Sequence, residues 1–166
     1  MTNDKQFKKL INFDINKFIT QIPITGSILG LDLGEKRIGV AISDINRSIA
    51  IAKKHIDRKK LIIDINIINN IIAENNIIAI IVGRPLNIDG KPGKKAQSIR
   101  RLSEEINKVL KLPLLLWDER YSSQAVEKIM INEIDLSRNK RKEFIDSSAA
   151  CWILEGALKR IKNNTI

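Results

Sequence analysis

The sequence predicts an α/β protein built on one mixed sheet, three antiparallel strands followed by two parallel ones, with helices on both faces. Three observations carry that expectation. The runs SILGLDLG, RIGVAISD and SIAIAKKH are short, β-branched and separated by only a few residues, which suits a hairpin meander. The runs IIAIIVG and LPLLLW are continuously apolar, as strands buried on both faces are. Around these two runs, apolar residues recur at three- and four-residue steps, the helical period.

Residues 1–24 read as an N-terminal extension ending in the breaker-containing QIPITG; 25–166 read as one domain. Within the extension, Phe7, Leu10, Ile11, Phe13 and Phe18 would form one helical stripe able to dock on the domain. The three-strand meander follows. From Asp57 to Asn75 the residues Leu61, Ile62, Ile65, Ile68 and Ile72 mark a helix with Asp57 as its N-cap. IIAIIVG is the fourth strand, and the Gly/Pro-punctuated stretch RPLNIDGKPGKK is a loop. Ile99, Leu102, Ile106, Val109 and Leu110 mark the second helix, and LPLLLW the fifth strand. SSQAVEKIM starts a third helix with serine caps at hand, INEIDLSRNKRK is a loop, and Phe144, Ala149, Trp152, Ile153, Leu154, Ala157 and Ile161 line a closing helix. The order βββ-α-β-α-β-α-α places parallel units after an antiparallel sheet.

At 166 residues, with 43% apolar and 29% charged residues, the chain is long enough for one well-filled core. Twenty-nine lysines and arginines against 19 acids leave a net charge of +10, which favours a polyanionic partner. A single cysteine, Cys151, excludes an internal disulfide and a thiolate zinc cluster, and its apolar neighbours suit an inert thiol. A single histidine, His55, sits in the solvated-looking run KKHIDRKK and excludes chemistry built on paired imidazoles. No apolar run approaches the ~18 residues that span a bilayer, and the charged N-terminus lacks a leader pattern, so a cytoplasmic protein with no membrane partner is expected.

Three acidic positions stand out: Asp32 in SILGLDLG, an acid in the DER that follows LPLLLW, and Asp146 in IDSSAACWIL. Taken singly, each has a structural alternative: a turn cap, a solvated strand end, a helix N-terminal carboxylate. Taken together, they are carboxylates able to converge at one sheet edge. In DER, Asp118 and Glu119 compete, because side chains alternate along a strand and only one of them shares a side with Asp32. Arg120 either neutralises the other acid or holds a phosphate. An oxygen-only ligand set points to Mg²⁺ or Mn²⁺ rather than zinc, and two such ions serve phosphodiester hydrolysis without a histidine base.

Basic residues frame these acids. The loop GRPLNIDGKPGKK brings Lys91, Lys94 and Lys95 together with glycine amides and a helix N-terminus, a combination suited to a phosphate backbone, although it is no P-loop. Arg138, Lys140, Arg141 and Lys142 closely precede Asp146.

In order along the chain, GLDLGEKRIGVAISD, VGRPLNIDGKPG, DERYSS and IDSSAA resemble the motifs of the YqgF/RuvX family of the RNase H-like superfamily. The resemblance covers about residues 26 to 160. It implies an RNase H-like fold with Asp32, Glu119 and Asp146 as catalytic, metal-binding positions, and so selects Glu119 over Asp118. Substrate-binding positions within or beside the motifs are Lys36, Arg37, Arg84, Asn87, Lys91, Lys94, Lys95, Arg120, Ser122, Ser123 and Arg141. Two departures are visible. Arg84 stands where the family commonly has an apolar residue, and Tyr121-Ser122-Ser123 where Leu-Thr-Thr is usual.

The resemblance implies a nuclease using two Mg²⁺ or Mn²⁺ ions, on structured RNA at the 5′ end of pre-16S rRNA or, alternatively, on four-way DNA junctions. Its expected form is a monomer or homodimer. Two readings from other classes remain beside it: a nucleic-acid-binding module without catalysis, and half of an actin-like kinase, whose second lobe a 166-residue chain has no length for.

Overall fold

The computed structural model describes residues 10–121 and 138–165, and within them the side chains of 10–120 and 149–165. The elements are β1 (Ile11–Asn12), α1 (Ile15–Gln21), β2 (Ser27–Leu33), β3 (Arg37–Ser43), β4 (Ala50–Asp57), α2 (Leu61–Glu74), β5 (Ile77–Arg84), α3 (Lys94–Leu110), β6 (Leu114–Asp118), a 3₁₀ turn (Glu119–Tyr121) and α4 (Arg138–Asn164). The strands form one sheet in the order β1-β6-β5-β2-β3-β4. β3 runs antiparallel to β2 and β4, while β2, β5, β6 and β1 are parallel. This is the mixed sheet expected from the sequence, with one strand more.

The extra strand changes the reading of the N-terminus. A helical stripe through Ile11 and Phe13 is not what forms: residues 11–12 pair with Leu114 and Leu115, and the helix begins only at Ile15, capped by Asp14, whose carboxylate accepts the Asn16 amide at 2.7 Å. The exposed edge of β6 explains the difference. Its Leu114 amide donates to Leu10 O at 2.8 Å, and Asn12 Nδ2 reaches Leu114 O, so edge groups that would otherwise face water are paired. Phe18 of α1 is completely buried. Phe7 lies outside the described residues, as do the expected third helix from Ser122 and the following loop up to residue 137; residues 138–142, expected in that loop, belong to α4.

Asp57 is not a helix cap. It ends β4 level with Arg37, whose guanidinium lies 3.5 Å away, and α2 starts four residues later. The N-cap residue, Lys60, has no capping side chain. Instead the fully buried Asp64 reaches back to accept the Lys59 amide at 3.0 Å and Arg58 Nε at 3.2 Å. His55, expected at the surface, has a side chain only 11% exposed, with Nε2 3.2 Å from Asp57. Alternation puts the buried Ile56 on the α2/α3 side and His55 on the other, the side of Asp57.

The strand alternation divides the core. Leu29, Leu31, Ile80, Val82, Leu114 and Leu116 face α2 and α3, and meet Ile65, Ile68, Ile99 and Ile106. Ile28, Ala79, Ile81, Leu115 and Trp117 face α4 and α1, and meet Ala150, Ile153, Leu154, Ala157 and Phe18. Gly30 lets α4 approach closely: a Cβ there would stand 2.9 Å from Leu154 Cβ and 3.1 Å from Ala150 O. Among the described residues no helix is long and apolar enough to cross a membrane.

Candidate functional site

The carboxyl ends of β2, β5 and β6 lie side by side, in register. Leu31 is level with Val82 and Gly83 with Trp117, so Asp32, Gly83 and Trp117 stand at one height. Strand parity puts all three on the α4 side: Asp32 shares its side with Ile28 and Gly30, Gly83 with Ile81, Trp117 with Leu115. One residue on, Asp118 turns to the α2/α3 side. The 3₁₀ turn then brings Glu119 back, and its Oε1 lies over Gly83, 2.5 Å from where a Cβ would be. Ile153 of α4 covers the same spot. The half-buried Asp32 and Glu119 therefore flank Gly83 on one face, with neighbouring strands about 4.8 Å apart.

Position 146 belongs to α4, one turn before Ala150 and two before Leu154, the residues that rest on Gly30. Its side chain lies outside the described residues, as do the side chain of Arg141 and all of Ser122 and Ser123. Among the described residues, no group of three or more His, Cys, Asp or Glu forms a metal cluster. What the described side chains offer a divalent ion is an all-oxygen pair, Asp32 and Glu119, and that donor set fits Mg²⁺ or Mn²⁺.

The turn beside Asp32 is firmly tied. Gly34 N donates to Asp32 O at 3.0 Å, Arg58 Nη1 donates to Gly34 O at 2.9 Å, and the Arg58 amide donates to Lys36 O at 2.9 Å. Because Arg58 is also held by buried Asp64, the start of α2 braces the Asp32 hairpin. Lys36 is exposed on this turn, and Arg37 leans on Asp57.

Asp118 has a different part. Arg120 Nε lies 3.0 Å from both of its carboxylate oxygens, Arg120 Nη2 2.6 Å from Oδ2, and the Arg120 amide donates to Oδ1 at 3.0 Å. Partial burial pushes the Asp118 pKa up, but these hydrogen bonds and the charges of Arg120 and Arg84 outweigh it and hold the carboxyl below the usual aspartate range. Arg120 also donates to Ile88 O at 3.4 Å, which fastens the loop after β5. That loop is a tight turn: Gly90 N donates to Asn87 O at 2.8 Å, Asn87 N to Lys91 O at 3.0 Å, and Lys91 N to the Asp89 carboxylate at 2.9 Å. Gly90, at φ +81°, occupies a left-handed conformation beside the Arg120 guanidinium. Lys91, Lys94, Lys95 and Asn87 are exposed, and Gly93 opens α3 without a side-chain cap.

On the α3 side, Arg84 and Arg100 both lie over the ring of Phe13, at 4.8 and 5.3 Å from its centroid. Neither Phe13 nor Arg100 is evident as a site neighbour from the sequence, because the contact depends on β1 joining the sheet. Gly83 was legible in principle, as a glycine closing an apolar strand.

A family model described as "RuvX: Holliday junction resolvase" matches residues 26–160. The chain belongs to this family. Proteins of Rhodobacter capsulatus and Caulobacter vibrioides, each named "Putative pre-16S rRNA nuclease", are 42% and 39% identical to it, over 89% and 90% of this chain and 92% and 96% of theirs. The RuvX assignment accords with the ordered motifs around Asp32, Arg84, Glu119 and Asp146. Among solved structures, Thermus thermophilus RuvC in complex with a Holliday junction substrate superposes with a TM-score of 0.53, covering 82% of this chain and 96% of that one. At 10% identity that likeness speaks for the fold alone.

Proposed function

We propose that this chain is a divalent-metal-dependent nuclease that hydrolyses phosphodiester bonds at the 5′ end of pre-16S rRNA, with Asp32, Glu119 and Asp146 as the metal ligands. The observation carrying this reading is the Glu119 carboxylate seated over Gly83, on the face and at the height of Asp32. The relatives' name and a net charge of +10 supply the substrate class.

When bound, two Mg²⁺ or Mn²⁺ ions supply an activated water and charge neutralisation at the leaving oxygen. The chain's own residues hold and orient. Asp32 is fixed by the Arg58-braced hairpin, and Glu119 is held between Gly83 and Ile153. The preformed loop of Asn87 and Lys91, latched by Arg120, meets the phosphate backbone together with Lys94 and Lys95, and the remaining motif positions Lys36, Arg37, Ser122, Ser123 and Arg141 complete the substrate contacts. The protein would act in the cytoplasm as a monomer or homodimer.

Asp32→Asn and Glu119→Gln remove charge without changing shape. Each is expected to abolish Mn²⁺-dependent cleavage of precursor rRNA, a loss of at least about 10³-fold, while thermal melting and RNA binding in EDTA stay near wild type. Wild-type rates in either variant would overturn the ligand assignment. The family's description favours a second reading, cleavage of four-way DNA junctions. Junction DNA and precursor rRNA assayed side by side at equal ionic strength separate the two.

A further inference from the structure

Two guanidinium groups gathered on one aromatic ring need an explanation. Arg84 ends β5, Arg100 lies on the second turn of α3, and Phe13 follows β1; the three meet at the carboxyl-end edge of the sheet, on the side away from Asp32 and Glu119. The ring attracts both cations, but they repel one another, and Arg84 is shifted toward its neutral form by burial and then by the charge of Arg100. Asp118 offsets this only in part, because Arg120 already occupies its carboxylate. Glu104 pairs with Arg100 Nε at 3.1 Å, leaving the rest of that guanidinium exposed. Arg84 Nε is buried and, among the described residues, has no hydrogen-bond partner. Stacking on a ring face leaves the in-plane N–H groups of a guanidinium pointing outward, the geometry in which arginine grips a phosphate.

We propose that Arg84, Arg100 and Phe13 form a phosphate subsite for the nucleic acid strand, on the opposite side of the sheet edge from the carboxylates. The subsite rests on the reading that the chain acts on nucleic acid. An anion set beside the two guanidinium groups relieves their repulsion. The strand entering the carboxylate face is then held on both sides of the sheet, at the carboxyl ends of β5 and β6. The ring is the organising element: it holds both arginines in place before substrate arrives, which lowers the ordering cost of binding.

The test is binding rather than cleavage, so that it is independent of the metal ligands. A fluorescein-labelled single-stranded RNA oligonucleotide carrying the 5′ end of 16S rRNA is titrated in EDTA between 50 and 200 mM KCl with wild type, Arg84→Leu, Arg84→Lys and Arg100→Gln. Arg84→Leu restores the apolar residue common in the family, and Arg100→Gln alters an exposed helix position, so both are expected to fold. Each should weaken binding roughly five- to tenfold and lower the slope of log affinity against log salt by about 0.7, with Arg84→Lys keeping most of the slope. A role confined to docking residues 10–21 would lower the melting temperature and leave the salt slope unchanged, and that result overturns the proposal. So does a wild-type protein that binds the oligonucleotide no more tightly than the Arg84→Leu, Arg100→Gln double variant. Wild-type cleavage by Asp32→Asn, in contrast, would overturn the ligand assignment and leave this subsite standing.

Discussion

Gly83 is the residue on which the candidate site turns. Its missing side chain is where Glu119 Oε1 and the Ile153 side chain meet. Gly83→Ala puts a methyl group into that contact, and both neighbours have to move. Overpacking of this kind costs about 1–3 kcal/mol, and here the displaced group is a proposed metal ligand. The expected outcome is a variant that folds, with a lower melting temperature, and cleaves precursor rRNA at least tenfold more slowly even at raised Mn²⁺. Unchanged cleavage would show that the Glu119 position does not matter. At this scale the sequence located Asp32 near the end of an apolar strand, where β2 carries it, while its part as a ligand came from the resemblance. The sequence was least informative about Asp118 and Glu119, because parity alone does not say which acid the turn carries back. The structure places Glu119 on the Asp32 face and gives Asp118 to Arg120.

Between elements, the Asp118–Arg120 pair acts as a latch. It joins the end of β6 to the loop after β5 through Ile88 O. Asp118→Asn is expected to raise the KM for precursor rRNA several-fold with a smaller change in kcat, because the loop carrying Asn87 and Lys91 is loosened while the metal ligands stay. The pH dependence follows from the sign of the shift. Asp118 titrates lower in the folded chain than in the unfolded one, so its stabilising effect is complete above the ordinary aspartate pKa and disappears as pH falls through the folded value. The difference in stability between wild type and Asp118→Asn, measured by urea melts, should be constant from pH 7 to about 5 and shrink below about pH 4. Asp44 behaves likewise. Its carboxylate accepts the amides of Ile49, Ser48 and Asn46 in the β3–β4 connection and is held low chiefly by the Ile49 bond. A second brace, Asp64 with Arg58, connects α2 to the Asp32 hairpin, and Asp64→Ala should cost about 3 kcal/mol by leaving a half-buried guanidinium unpaired. The first was legible in part, because Arg120 was a candidate to neutralise whichever acid of DER faces away from Asp32, and it pairs with Asp118; the second was not. The periodicity that located α2 is carried by its isoleucines, and it says nothing about which acid reaches backwards across the cap.

Across the whole molecule, the mixed sheet with helices on both faces was readable because hydrophobic pattern reports burial on one face or two. The sixth strand was not, since two residues pairing with an edge leave no periodic trace. Yet those residues anchor α1, and Phe18 is fully buried against the α4 side. Phe18→Ala should destabilise the chain by about 3–5 kcal/mol and lower its melting temperature by roughly 10 °C, which differential scanning calorimetry would read directly. A mere surface extension would give almost no shift.

The distance between β1 and its partner also sets an order of events. Asn12 meets Leu114 across 102 positions of chain. At about 5–20 residues per second, a ribosome needs roughly 5–20 s to supply β6 after it has made β1. Until then Phe13 has no edge to settle beside, and Arg84 and Arg100 lack their common ring. The grip on the polyanion thus matures after the hairpin that carries Asp32, and a nascent chain meets cellular RNA before that grip is assembled.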